Sequence, residues 1–346
     1  MCCRRTVLLA IVLSIAAWSA DPASIEFVHL SDTHVTNLKI AHPGIAAALE
    51  TKNGSAARFS RVLESVQQLS PSFLLITGDL IDAYSYDSPA GKPMYRQIEV
   101  FKAIFDHSRI PIFPVLGNHD LTQYHPAANT GKPVTDQSVA ADARRDWRRS
   151  IPNFREGTFY TFRKSVGGTG YLFIVLDDGE AKGRNEDFAA TQLAWLRAQI
   201  TAHPHDAIIL AMHIPLLQAP FWQGLKPILA DAPNVVLSIA GHRHSDGVEE
   251  VDLGTRRLVQ VRTAAVFMGE GNWRKLRLRA DGIDIFATGK TEQLEKTVEV
   301  KPAAVVGQAS WPLLHQRSTK LTGKLLVNPV ADPQVPLRPI RMGRLP

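Results

Sequence analysis

The chain has 346 residues, 45% hydrophobic and 21% charged, an ordinary globular composition with no low-complexity run and no fixed-period repeat to suggest a solenoid or propeller. Its net charge of +6 would point to nucleic acid if it were evenly spread, but seven Lys/Arg against Asp332 alone lie from Lys301 onward. Residues 21–300 therefore carry about −2, and no nucleic-acid partner is expected.

The chain opens with Arg4 and Arg5, an uncharged run from Val7 to Trp18, and small residues at Ser19 and Ala20. That order is the n-region, h-region and cleavage zone of a secretory signal peptide over 1–20. The run is shorter than the roughly 20 residues a membrane span needs. The expectation is an exported protein, periplasmic or secreted, with no stable membrane insertion after cleavage. Cys2 and Cys3 are the only cysteines, so the mature chain would contain neither disulfides nor thiolate ligands.

From Ile25 to about Lys290, short apolar runs alternate with amphipathic stretches. Ile25–Leu30, Phe73–Thr77 and Ile110–Leu116 read as strands, with helical spacing over Ala56–Leu69 and Met94–His107 between them. Thr158–Lys164 and Tyr171–Leu176 read as a hairpin turning at Val166-Gly167-Gly168. A helix follows over Ala190–Ile200, then strands at Ala207–Met212 and Val235–Ala240. Four more strands close the pattern near Gly247–Val251, Arg257–Arg262, Trp273–Arg279 and Ile283–Thr288, with Asp281-Gly282 as a turn between the last two. The alternation predicts an α/β fold with a two-sheet core, early parallel strands and helices outside. One catalytic domain over 21–300 and a basic, proline-rich tail over 301–346 complete the expected organisation; the last 19 residues hold five prolines.

Five motifs stand out, and four of them directly follow a predicted strand. They are Ser31-Asp32-Thr33-His34, Gly78-Asp79, Gly117-Asn118-His119-Asp120, Met212-His213 and Gly241-His242-Arg243-His244. In α/β sheets ligands bind beyond the carboxyl ends of the strands, so these loops should converge. Imidazoles with carboxylate and amide oxygens make a mixed N/O set suited to Fe, Mn, Zn or Co. Seven potential ligands are too many for one tetrahedral ion and suit two ions sharing a carboxylate. Asp79, central in the set, is the natural bridge. Such metal pairs lie about 3.5–4 Å apart and clamp the attacking and leaving oxygens of an in-line displacement.

In order and spacing these motifs resemble the calcineurin-like metallophosphoesterase superfamily over roughly Ile25 to Lys290. The resemblance implies a four-layer α-β-β-α sandwich of two mixed sheets with a dinuclear metal site at the strand C-terminal ends. It implies one metal on Asp32, His34 and His244, another on Asn118, His213 and His242, and Asp79 between them. It implies that His119 faces the substrate and assists the leaving group, with Asp120 orienting the His119 ring, and that a hydroxide bridging the metals attacks phosphorus. The compact motif set looks like the small bacterial phosphodiesterase branch, acting on cyclic nucleotides or glycerophosphodiesters. A phosphomonoesterase or nucleotidase is the alternative, and a non-catalytic metal-binding protein the remote one. The purple acid phosphatase subgroup places a tyrosine where this chain has Asp82, so a tyrosinate-bound ferric ion is not expected; Tyr84 comes two residues too late. The partner is a small-molecule phosphoester.

Other polar residues receive structural readings. His29, inside the first strand, reads as packed core, and Trp195 likewise. Asp177-Asp178 reads as a turn bordering the site, and His203 and His205 as a solvated loop. Arg144-Arg145-x-Trp147-Arg148-Arg149 reads as a solvated helix face rather than a phosphate grip. The long segment from Leu121 to Phe159 is expected to form one wall of the site.

Overall fold

The computed structural model describes residues 22–301; the expected signal peptide and tail residues 302–346 lie outside them. In chain order the elements begin β1 (Ser24–Leu30), α1 (Pro43–Ala48), α2 (Ser55–Gln68), β2 (Phe73–Thr77), β3 (Ser85–Asp87), β4 (Pro93–Met94), α3 (Gln97–Phe105) and β5 (Ile112–Val115). They continue with β6 (Gln123–Pro126), β7 (Pro133–Asp136), α4 (Ala140–Ser150), β8 (Tyr160–Val166), β9 (Thr169–Val175), α5 (Glu186–Ala202), β10 (Ala207–Ala211) and α6 (Trp222–Ala230). The last are β11 (Val235–Ala240), β12 (Gly247–Asp252), β13 (Arg257–Arg262), β14 (Arg274–Arg279), β15 (Gly282–Phe286) and β16 (Leu294–Glu299).

Two six-stranded sheets form, ordered β16-β15-β14-β1-β2-β5 and β12-β13-β11-β10-β9-β8. Both are mixed. β1, β2 and β5 run parallel, as do β9, β10, β11 and β13, and the remaining strands join antiparallel. The interior strands β2 (FLLIT) and β10 (AIILA) are buried throughout, which is why they read as unbroken apolar runs rather than alternating ones. Phe27, Phe73, Phe173, Leu237 and Leu276, from both sheets, share one cluster. At its heart Phe27 stacks on Phe73 at 4.7 Å, and Phe173 meets both edge-on; replacing one of these rings by alanine would cost about 3–5 kcal/mol. The opposite face of the first sheet packs on α2, α3 and α4 through Phe59, Phe101 and Trp147. That of the second packs on α5 and α6 through Leu196, Leu225 and Leu229.

The expected elements are present, and four differences are informative. Leu294–Glu299 forms an edge strand, largely exposed, so its sequence carries little apolar signal. The turn before β15 is Ala280-Asp281, one residue earlier than expected, since Arg279 pairs with Gly282. Gly282 is needed instead for strand packing, because a Cβ there would come within 2.9 Å of the Val298 carbonyl oxygen. The Leu121–Phe159 segment is not a loop: it holds β6, β7 and α4. β6 and β7 join β3 and β4 in a small third sheet, packed on Ala41 and Ile45 through Tyr86 and Tyr124. Finally, Arg144 and Trp147 are buried, so only Arg145, Arg148 and Arg149 make the solvated face of α4.

Candidate metal centre

Because the parallel strands of each sheet point the same way, the loops after β1, β2 and β5 meet those after β10 and β11. The turns that make this possible are strained. Of the six non-glycine residues with positive φ among the described residues, five are Asp32 (52°), His34 (42°), Asp79 (47°), His242 (69°) and His244 (54°). Each such conformation costs of order 1–3 kcal/mol and persists where the surroundings over-determine it, typically at functional sites. Two glycines make room. A Cβ on Gly78, itself at φ 81°, would lie 2.4 Å from the His213 ring. One on Gly117 would lie 2.3 Å from the Asp79 backbone nitrogen and carboxylate.

Every expected ligand arrives in one cluster. His34 Nε2 lies 3.3 Å from His244 Nε2 and 3.5 Å from Asp79 Oδ2. Asp32 Oδ1 lies 3.3 Å from His244 Nε2. On the other side, His213 Nε2 is 3.2 Å from Asn118 Oδ1, 3.3 Å from His242 Nδ1 and 3.2 Å from Asp79 Oδ2. Asp79 thus belongs both to the set Asp32, His34, His244 and to the set His213, His242. Its Oδ1 is committed to the His119 N–H at 2.9 Å, which leaves Oδ2 facing both sets.

The surroundings fix which atoms point inward. His213 Nδ1 contacts the Thr77 carbonyl at 2.8 Å; a carbonyl only accepts, so Nδ1 carries the proton and Nε2 turns its lone pair to the site. His34 Nδ1 likewise donates to Asp82 Oδ1 at 3.0 Å. Asp32 Oδ2 accepts from Ser31 Oγ at 2.6 Å and from the His242 N–H at 3.0 Å, whereas its buried Oδ1 has no hydrogen-bond donor.

This arrangement fits cations. An orphaned carboxylate oxygen and facing imidazole nitrogens are costly to bury together unless positive charge lies between them. The two sides of the site differ in proton affinity. Burial opposes charge on His213, yet the Asp79 and Asp32 carboxylates push its pKa up to about 10. Burial lowers His34 to about 4 despite its bond to Asp82.

His119 packs its ring against His34 at 4.7 Å, with Nε2 3.9 Å from Asp79 Oδ2. Its Nδ1 lies 2.7 Å from the Asp82 backbone carbonyl and 2.8 Å from the Tyr124 hydroxyl, so Nδ1 bears a proton and Nε2 faces the ligand cluster. The expectation that Asp120 orients this ring is not met. The Asp120 carboxylate accepts instead from the backbone N–H groups of Gly117, Leu80 and Ile81 at 2.7, 3.2 and 2.9 Å. It knits together the two loops that carry Asp79 and Asn118, because a buried carboxylate among free backbone donors satisfies them first.

The carboxylate beside the histidines is Asp82, which sequence reasoning used only to exclude a tyrosine. Buried, it binds His34, accepts from Tyr86 at 3.1 Å and pairs with Lys52. Burial pushes its carboxyl up, but the His34 bond and the Lys52 charge outweigh this and hold it well below the usual carboxylate range. A charged residue in the apolar run Leu80-Ile81-x-Ala83 was the available signal, since a buried charge needs partners. Phe267, also missed, sets its ring edge-on to His34 and His244 at 4.9 and 5.0 Å.

The structural readings of the remaining residues mostly stand. His29 is buried on Thr77 Oγ1 at 2.7 Å, burial taking its pKa down to about 3. Asp178 is buried and accepts the His213 and Ile214 N–H groups at 3.0 and 2.8 Å; burial raises its pKa to about 7. It holds the His213 loop rather than a turn of its own. Arg144 pairs with Asp177 at 2.8 and 3.0 Å and with Glu180 at 2.5 Å. His203 lies against Asp206 at 3.2 Å, and His205 is exposed. Trp195 is partly buried against the α5–α6 core.

An α/β frame that gathers three carboxylate and imidazole-bearing loops from one sheet and two from the other, around one shared aspartate, defines the class of dinuclear metallohydrolases. The calcineurin-like phosphoesterase profile matches residues 25–246, and the chain belongs to that family. Among proteins it resembles is the uncharacterised Bacillus subtilis protein YvnB, 27% identical over 190 residues, or 53% of this chain and 13% of that one. Another is the Rattus norvegicus tartrate-resistant acid phosphatase type 5, 24% identical over 212 residues, or 55% of this chain and 60% of the phosphatase. The chain therefore corresponds to only part of these relatives. In fold it is similar to a dimetal phosphatase from Danio rerio, with a TM-score of 0.56 and 14% identity, covering 81% of this chain and 99% of that structure.

Proposed function

We propose that this chain is an exported hydrolase of small phosphodiesters, with cyclic nucleotides and glycerophosphodiesters as the first candidates. The observation that carries the reading is an asymmetry around the shared aspartate. His119, a proton carrier beside the cluster that no ligand role claims, packs on His34. A cavity of about 360 Å³ instead opens on Asn118 and His242. A diester needs two such places, one for the departing alcohol and one for the alcohol that stays on phosphorus.

Asp32, His34, Asp79 and His244 would hold one metal ion, and Asp79, Asn118, His213 and His242 the other. Bound there, two ions of Fe, Mn or Zn supply Lewis-acid charge to the phosphoryl oxygens and make water acidic enough to act as nucleophile near neutral pH. His119 in its protonated form presents Nε2–H to the leaving oxygen, and the Asp82 carbonyl keeps the ring from turning. Asp120 and Asp178 fix the loop backbones that aim Asn118 and His213. Phe267 keeps water from one flank of His34 and His244 by covering their rings. Tyr84 donates to Asp146 at 2.6 Å, away from the ligands, which supports divalent ions over a tyrosinate-bound ferric one.

Export is supported by the order Arg4-Arg5, apolar run and small residues. Among the described residues no helix is long and apolar enough to cross a membrane. A second reading, phosphomonoester hydrolysis, is favoured by the likeness to the acid phosphatase. The test is hydrolysis of bis(p-nitrophenyl) phosphate against p-nitrophenyl phosphate by protein loaded with Mn²⁺, Zn²⁺ or Fe²⁺. We expect the diester to be favoured at least about tenfold in kcat/KM, the size of one lost contact set. A monoester preference would reverse the order of the two readings, and metal-loaded protein that cleaves neither would sink both.

A further inference from the structure

The cavity beside Asn118 and His242 has a wall that the proposed reaction does not use. Its lining includes Thr135 on β7, Ile214, Gln137 and Arg184, the last on the loop before α5. Most polar groups here are committed. Gln137 donates Nε2 to the Gly179 carbonyl and accepts the Ala181 N–H through Oε1, both at 2.9 Å. Glu180 on the same wall is held by Arg144. Asp136, whose carboxyl feels the Arg184 charge, has both oxygens taken by the Ser138 N–H and hydroxyl at 2.7 and 2.6 Å. Arg184 itself is exposed and makes no side-chain hydrogen bond or ion pair with the described residues. A guanidinium offers a rigid fork of donors matched to carboxylate or phosphate oxygens, and here it lines the same cavity as Asn118 and His242.

Resting on the phosphodiester reading, we infer that this cavity receives the retained alcohol of the substrate, and that Arg184 selects retained groups carrying a second anion. A carboxylate and a phosphate share that chemistry. Ile214 bounds the space on the apolar side, so a short carbon linker between the two anions suits it.

The test is a set of p-nitrophenyl phosphodiesters with one leaving group and different retained groups: ethyl, 2-carboxyethyl, 2-phosphonooxyethyl and choline. Because p-nitrophenolate leaves in every case, differences report the retained side. The protein loaded with Mn²⁺ should favour one or both anionic esters over the ethyl ester by about tenfold in kcat/KM, mostly through KM, as one charge-assisted fork allows. Which of the two leads identifies the anion. Arg184→Met should bring the ethyl and anionic esters toward one value, with Arg184→Lys in between. Calorimetric titration with ethyl and 2-carboxyethyl methylphosphonate should reproduce the ratio without turnover.

Equal kcat/KM for the ethyl and anionic esters in the wild type would overturn the inference and leave the phosphodiester reading standing, as would a choline ester favoured over both. Equal losses on all four esters in Arg184→Met would overturn it too, showing a general rather than selective role. If the wild type cleaves none of the series, the phosphodiester reading falls and this inference with it.

Discussion

The two ends of the parallel strands differ in kind. At the carboxyl ends, five ligand residues sit in left-handed backbone. Buried histidines are driven in opposite directions there, His213 up to about 10 and His34 down to about 4. At the amino ends the chemistry is settled. The β8–β9 turn uses Gly167 and Gly168 for its positive φ. Arg163 forks onto Asp206 at 2.9 and 2.8 Å just before β10. One end keeps unresolved charge for something it binds; the other resolves its charge within the chain. Stability and function have thus been divided along each strand, which is the expectation for sites built on a sheet's carboxyl edge.

Substitutions can break this contrast. Asp79→Asn should do most, since one oxygen serves both halves: metal content measured by plasma emission should fall below two ions per chain, and turnover by about 10³-fold or more. His119→Ala should lower turnover by about 10²–10⁴-fold with two ions retained, and the loss should be larger for an alkyl leaving group than for p-nitrophenolate. An equal loss for both would remove His119 from the leaving-group side. Asp82→Asn should weaken metal binding by about 10–100-fold, seen in competition with a chelator, and chiefly for one ion because His34 is the candidate ligand that the Asp82 carboxylate bonds.

The smallest effect belongs at the far end. The Arg163 bond holds the Asp206 carboxyl below its usual range, against the effect of burial. A lowered carboxylate stabilises the fold fully above the ordinary carboxylate range and loses that contribution as pH falls through its own pKa. Asp206→Asn should therefore cost less than about 1 kcal/mol near neutrality and nothing in strong acid, with turnover intact. Denaturant midpoints at pH 7 and pH 3 would show this, and a cost that grows toward low pH would contradict the pairing.

Much of the site could be read from the chain because ligand chemistry is local. Asp32-x-His34 and His242-x-His244 need particular side chains at fixed offsets from strand ends, and the strands announce themselves as apolar runs. Roles that depend on what the tertiary fold brings near were not legible. Asp120 follows His119 directly, yet its carboxylate turns to backbone donors on another loop. Asp82 and Lys52 lie 30 residues apart in sequence and meet only through the fold. The third sheet was hidden because β6 and β7 are short, polar and bounded by Pro126 and Pro133, features that read as loop.

One feature of the fold ties both ends to the metals. Between the sheets the core contacts are apolar, and only a few directed bonds cross from one sheet to the other. Tyr160 Oη donates to the Pro114 carbonyl at 2.9 Å and Lys296 pairs with Glu250 at 2.8 Å, and further polar contacts cross at the two ends of the strands. At one end Tyr171 Oη donates to the Arg279 carbonyl at 2.6 Å and Thr169 to that of Ala280, also at 2.6 Å. At the other, His213 holds Thr77 and His242 holds Asp32. The sandwich is pegged at both ends like a hinge pin, and the ligands of each ion come from both sheets. The spacing of the residues that would hold the two ions is therefore also a gauge of sheet alignment, and a slip begun at Tyr171 would reach them at the far end of β9.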